Sequence, residues 1–148
     1  MSDDRGLSPS AVRASQSVRG VIGRLRRRIR AAGSTEDLSL TQASVLARLT
    51  DDEGLTTSDL AVSEGMRHQS MASTVGALAV RGLVERRRDP GDGRRLLIAL
   101  TDEGRRRAEA GRQARGEWLA AELQMKCTEK ERQTVIAAMA VLERLVSD

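Results

Sequence analysis

Apolar residues recur at three- and four-residue intervals over most of the chain, and one stretch breaks that period. Val18, Val21, Ile22, Leu25 and Ile29 fall on one face of a helix. Ser8-Pro9 opens it, a cap residue followed by proline at the first helical position, and Gly33-Ser34-Thr35 ends it. A second helix opens at Leu40-Thr41, with Thr41 expected as its N-cap and Val45, Leu46 and Leu49 facing inward up to Thr50. Asp51-Asp52-Glu53-Gly54 breaks it. Thr56 and Thr57 then suit a short strand able to pair with a later one, before capping a short helix over residues 58–63.

Gly65 follows as a tight turn, and residues 66–80 read as another helix, ended at Gly82 where a left-handed residue is cheap. Met66, Met71, Val75, Leu78 and Ala79 form its apolar face, and Leu46, Leu49, Leu60 and Ala61 are expected to pack beneath Val75 and Leu78. Arg67, His68, Gln69, Ser70, Ser73 and Thr74 gather toward its N-terminal half. The helical period then stops. Arg86-Arg87-Arg88 and Leu96-Leu97-Ile98-Ala99-Leu100-Thr101 flank Asp89-Pro90-Gly91-Asp92-Gly93, a turn in which proline pre-sets φ and glycine accepts positive φ. The pair reads as a two-stranded ribbon tipped with arginines. Helix, turn, helix and basic hairpin together make a winged helix.

Beyond it, Thr101-Asp102-Glu103 is a helix start with a cap and two acids in its first turn, and the helix runs through Glu122. Gly104, Gly111 and Gly116 interrupt it and allow bends or close approach. Thr128 and Glu131 form a capping box for a last helix carrying Val135, Ile136, Met139, Leu142, Leu145 and Val146. Neither this stripe nor the one from Val18 to Ile29 belongs to the winged core, so together they read as a dimer interface.

Composition narrows the function. The 148 residues hold one tryptophan, Trp118, and no Phe or Tyr, so Leu, Val, Ile, Ala and Met must build the core, which favours helix packing. A net charge of +4 from 25 bases and 21 acids says little; the clustering of the bases suggests a polyanion partner. The single cysteine, Cys127, excludes an internal disulfide framework, and one histidine with one cysteine cannot make a zinc finger. No metal site or cofactor is expected. Met1-Ser2-Asp3-Asp4-Arg5 is polar with no apolar run behind it, so neither a secretory signal nor a membrane span is expected, and a cytoplasmic location follows. His68 has no acid beside it to orient it as a catalytic base, so an enzyme is not expected.

The polar half of residues 66–80 suits a major groove. Gln69 can pair bidentately with adenine and Arg67 with guanine or phosphate; Ser70 and Ser73 can donate to phosphate oxygens. His68 is either a nucleic-acid contact or an exposed neutral side chain. Asp92 and Arg94 stand two apart at the hairpin tip, so the carboxylate is expected to hold the Arg94 guanidinium extended, suited to a narrow minor groove, with Arg95 beside it. The alternative for these arginines is a charged hairpin surface. The first helix's Arg19, Arg24, Arg26, Arg27, Arg28 and Arg30 are either a solvated face or groups that reach phosphates or a ligand crevice. Cys127, just before Thr128 and beside Lys126, is either an activated thiol or an inert one at a turn.

The run Asp92-x-Arg94-x-x-x-Ile98-x-Leu100-Thr101-x-x-Gly104, preceded by Gly82-Leu83-Val84-Glu85-Arg86, resembles the wing signature of the MarR family (multiple antibiotic resistance regulators), and the resemblance extends over roughly residues 10–147. It implies a recognition helix at residues 66–80 in the major groove and a wing arginine, Arg94, in the minor groove. One position departs from the family pattern: Arg67 stands where a small N-cap residue is usual. The resemblance also implies a small-molecule effector in a crevice between the dimer helices and the winged domain, on which Arg24, Arg28 and Arg48 would bear.

The fold expected is mainly α with a small β wing: a winged helix-turn-helix over residues 40–101, flanked by dimerisation helices at 8–33 and 102–147. The function expected is that of a homodimeric, ligand-responsive repressor on an inverted-repeat operator in double-stranded DNA. Two alternatives stand beside it: a thiol-based oxidative-stress sensor of the same family using Cys127, and a winged helix used for protein contacts.

Overall fold

The structure is a computed structural model that describes residues 6–34 and 37–147. The expectations placed on residues 1–5 and on Thr35 lie outside the described residues. Among the described residues, six helices and two strands follow in the order α1 (Pro9–Ala32), α2 (Leu40–Asp51), α3 (Thr57–Glu64), α4 (His68–Val80), β1 (Val84–Arg88), β2 (Leu96–Leu100), α5 (Asp102–Lys126) and α6 (Glu129–Glu143).

Local capping chemistry sets most of these boundaries. Ser8 caps α1 by accepting from the Ala11 N–H, with Pro9 at the first helical position. Thr128 and Glu131 form the expected box at the start of α6. At α2 the expected cap is wrong. Ser39, not Thr41, is the N-cap, because its hydroxyl accepts from the Gln42 N–H at 3.1 Å while the Gln42 side chain accepts from the Ser39 N–H at 3.0 Å. That Ser-x-x-Gln box satisfies two first-turn donors at once, which Thr41 inside the helix cannot do.

Thr56 performs both tasks expected of the Thr56-Thr57 pair. It forms an isolated antiparallel bridge to Leu97 of the wing and closes a capping box with Asp59, so α3 begins at Thr57. The expected strand is reduced to that single bridge, with the Ile98 N–H donating to the Leu55 carbonyl at 2.8 Å. Gly65 is left-handed at φ 64° and Gly82 at φ 69°, as the helix ends require.

The core lies where α2, α3, α4 and the wing meet. Val45, Leu46, Leu60, Met71, Val75, Leu78 and Ile98 are buried essentially completely, with Leu49, Ala61, Leu83, Val84 and Leu100 around them. Ala108 of α5 belongs to the same cluster. The first turns of α5 are therefore part of the winged core, and residue 102 is not a packing boundary. Helix α6 contributes no buried residue and ends at Glu143, leaving Leu145 and Val146 in a turn beyond it. Among the described residues no helix is long and apolar enough to cross a membrane.

Candidate nucleic-acid interface

Helix α4 is anchored by its apolar face and exposed by its polar one. Met71, Val75 and Leu78 show no solvent exposure, and burying three such side chains contributes roughly 1.5–3 kcal/mol each. Against that stands a weak start. Arg67 is the N-cap, in extended conformation, and makes no side-chain cap bond, a deficit worth about 1 kcal/mol. Packing wins, so the helix forms, two residues later than the expected start at Met66. Every other helix among the described residues is capped by a serine or threonine side chain.

Arg67, His68, Gln69, Ser70 and Ser73 are exposed along the start of α4. Among the described residues no side-chain hydrogen bond or ion pair engages Arg67, His68 or Gln69. Thr74 differs: it is half-buried, and its hydroxyl donates to the Ser70 carbonyl one turn back at 3.1 Å.

The wing is the expected ribbon, antiparallel with Val84 opposite Leu100, Arg86 opposite Ile98 and Arg88 opposite Leu96. Its turn works differently from the expectation, since neither Gly91 nor Gly93 has positive φ. Aspartate side chains shape it instead. Asp89 accepts from the Gly91 N–H at 2.8 Å, Asp92 accepts from the Arg94 N–H at 3.0 Å, and the Asp89 N–H donates to the Arg95 carbonyl at 3.0 Å.

This corrects the role given to Asp92. Its carboxylate fixes the Arg94 backbone and not the guanidinium, because a two-residue spacing brings an aspartate onto the N–H of the residue two ahead. The Arg94 guanidinium is exposed and unpaired among the described residues. Arg95 is the opposite case. It reaches Asp89 at 3.4 Å and Asp59 of α3 at 3.8 Å, and so braces the wing against the helix-turn-helix. Arg88 is likewise engaged, donating to the Gly93 carbonyl at 3.1 Å, and Arg87 pairs with Glu85. Arg86, which no local pattern sets apart from Arg87 and Arg88, is exposed and unpaired among the described residues.

Asp59 is held below its ordinary carboxylate value chiefly by the Thr56 N–H at 2.8 Å, then by the Thr56 hydroxyl at 2.7 Å and the Arg95 charge, with burial opposing. One carboxylate therefore caps α3 and receives the wing's brace.

The cavity that opens beside α1 is lined by other arginines than the three expected at an effector crevice. Arg28 sits over the Trp118 ring, 5.2 Å from its centroid, and reaches Glu122 at 3.4 Å. A cavity of about 350 Å³ does open between α1 and α2, but Arg26, Arg30 and Arg115 supply its cations, and none of Arg24, Arg28 and Arg48 lines it. Its apolar wall is Ile22, Leu25, Ile29 and Leu40. Helical period alone does not tell which arginine of a cluster turns toward a neighbour, and α1 is largely exposed on both faces.

Cys127 is partly exposed at the end of α5. The two groups that were to activate its thiol are engaged: Lys126 pairs with Glu122 at 2.5 Å, and the N-terminus of α6 receives the Glu131 carboxylate. Among the described residues no group of three or more His, Cys, Asp and Glu side chains is placed to hold a metal ion.

Comparison with known proteins gives a consistent set of matches. A sequence profile described as MarR family matches residues 36–95. An uncharacterised helix-turn-helix-type transcriptional regulator of Mycobacterium bovis is 34% identical over 114 residues, 77% of this chain and 80% of its own. Another, of Mycobacterium leprae, is 32% identical over 134 residues, 90% of this chain and 94% of its own. Among solved structures, a putative transcriptional regulator from Pseudomonas aeruginosa superposes with a TM-score of 0.77 at 27% identity, covering 95% of this chain and 97% of that one. The Staphylococcus aureus regulator MepR, solved bound to an oligodeoxyribonucleotide, shares the fold with a TM-score of 0.59 at 20% identity over 90% of this chain and 98% of that one.

Proposed function

The chain belongs to the MarR family of DNA-binding transcriptional regulators, and from that premise we propose that it is a homodimeric repressor seated on an inverted-repeat operator in the cytoplasm. Helix α4 reads base edges in the major groove through Gln69 and Arg67, with His68, Ser70 and Ser73 on the flanking backbone, while Arg94 enters the minor groove from the wing. Arg95 acts within the protein, through Asp59.

The observation that carries this reading is the contrast within α4. Met71, Val75 and Leu78 on its inner face are fully buried, whereas the side chains of its first turn stand in solvent with no protein partner among the described residues. A rigid element holding unengaged Arg, His and Gln side chains has the form needed for base readout. Exposed apolar residues on α1 and α6, among them Val21, Ile22, Ile136 and Met139, each half-exposed or more, support the dimer. Selection of bound duplexes from random DNA, followed by titration of the winners, tests it.

The cavity between α1 and α2 supports an effector with an apolar body and a negative charge, since guanidinium groups and, among the described residues, no carboxylate line it. Titration with the anionic dye 8-anilinonaphthalene-1-sulfonate should give saturable fluorescence that Arg115→Gln weakens. Unchanged binding in that variant would remove the cavity as the site. Neither alternative reading has an observation of its own: Lys126 and the start of α6, on which a thiol sensor would draw, each have a carboxylate partner, and a winged helix used for protein contacts leaves Arg94, unpaired among the described residues, without a purpose.

A further inference from the structure

Three helices converge on one carboxylate. Glu64 is the last residue of α3, immediately before the left-handed Gly65 that turns the chain toward α4. Its side chain is 3% exposed. One oxygen accepts from Arg30 of α1 at 3.0 Å, and the other from the Ser44 hydroxyl of α2 at 2.9 Å. These partners lie 34 and 20 residues away in the sequence.

Apart from this contact, α1 packs mainly on α2 and α5. The Arg30–Glu64 pair is thus a direct tie between the N-terminal helix and the turn that launches the recognition helix. A second tie holds the far end of α4, where Arg81 and Arg107 both reach Asp37. Asp37 is half-exposed, and an exposed pair is screened and contributes little. A carboxylate shielded from water and bonded through both oxygens constrains geometry far more strongly.

We propose that Glu64 is a positioning residue for DNA recognition: by clamping the end of α3 to Arg30 and Ser44 it fixes α4 relative to α1, and so fixes the distance between the two recognition helices of the dimer. The second step rests on the homodimer reading above. Operators with half-sites at the correct spacing are then favoured because the clamp removes the freedom to reach others.

The test uses the full chain with Glu64→Gln, Arg30→Gln and the double variant. Glutamine keeps the shape of Glu64 and an acceptor for Ser44 while removing the charge. Arg30 is 37% exposed, so it remains solvated without its partner. Affinity is measured for the selected operator, for duplexes with half-sites moved one or two base pairs closer or further, and for random duplex.

Wild-type protein should prefer one spacing sharply. Each single variant should lose about tenfold on that spacing while random-duplex affinity and salt slope stay unchanged, which flattens the preference. The double variant should lose no more than either single, because both remove the same interaction. A Glu64→Gln protein with the wild-type spacing profile overturns the proposal, as does an equal loss on every duplex. If wild-type protein shows no spacing preference and scatters as a monomer, the homodimer reading fails first and takes the clamp's purpose with it.

Discussion

The carbonyl oxygen of Leu83 occupies the space that a side chain at Gly104 would need: a β-carbon there would stand 1.9 Å from it. The contact closes the winged core. Thr101 donates its N–H to the same Leu83 carbonyl at 3.1 Å and its hydroxyl to the Gly82 carbonyl at 2.6 Å, so the first turn of α5 lies tight against the base of β1. Since the obstruction is backbone, Gly104→Ala should cost about 3 kcal/mol, the upper part of the range for overpacking. Urea denaturation reads this directly, and a variant as stable as wild type would show that α5 is free to shift.

Arg94 and Gln69 should fail in different ways. Arg94→Ala removes from the wing tip a guanidinium that is unpaired among the described residues, so binding should weaken on all duplexes and the salt slope should fall by about one. Gln69→Ala should cost roughly 1–3 kcal/mol on the operator and relax preference at particular base pairs, with the salt slope kept. Titrations at several salt concentrations separate the two; unchanged affinity of Arg94→Ala at near-physiological salt would take the wing off the DNA.

Asp59 gives the fold an acid-sensitive contact. Its folded value lies below the ordinary one, so the unfolded chain takes up the proton first. The stability it contributes is present above about pH 3.9 and is lost as pH falls through the lower folded value. Asp59→Asn, which keeps an acceptor for the Thr56 N–H, should make stability depend less steeply on pH below about 4, by up to one proton. The same slope in both proteins, measured by urea denaturation between pH 3 and 6, would contradict the assignment.

Assembly should depend on α6 more than on the winged core. A cut after Asp102 would remove Gly104 and Ala108 from the core, so the informative chain ends at Lys126. It should fold, lose the dimer by light scattering, and keep salt-sensitive binding to random DNA while losing most operator affinity. A dimer of undiminished strength would place the interface elsewhere.

What the sequence disclosed follows the range of the interactions. Ser8-Pro9 and Thr128-x-x-Glu131 were legible because a cap and its acceptor lie within one turn of helix, and the arginine-rich hairpin because its turn is a compact run of Asp, Pro and Gly. The Ser39-x-x-Gln42 box was equally local, but the neighbouring Thr41 offered a competing cap. The role of Asp92 was misassigned because its carboxylate meets the Arg94 N–H before it can meet the guanidinium. Arg95 with Asp59, Glu64 with Arg30, and the arginines facing the α1–α2 cavity depend on packing between elements distant in the sequence, which no local pattern encodes.

Selection from random double-stranded DNA, followed by salt-dependent titration of the enriched sequence, shows whether α4 and the wing read a specific duplex. The expected winner is an inverted repeat with half-site centres about 10 bp apart, bound at least about 10³-fold more tightly than random duplex, with affinity falling steeply as salt rises. No enriched sequence, or equal affinity for selected and random duplex, would contradict it.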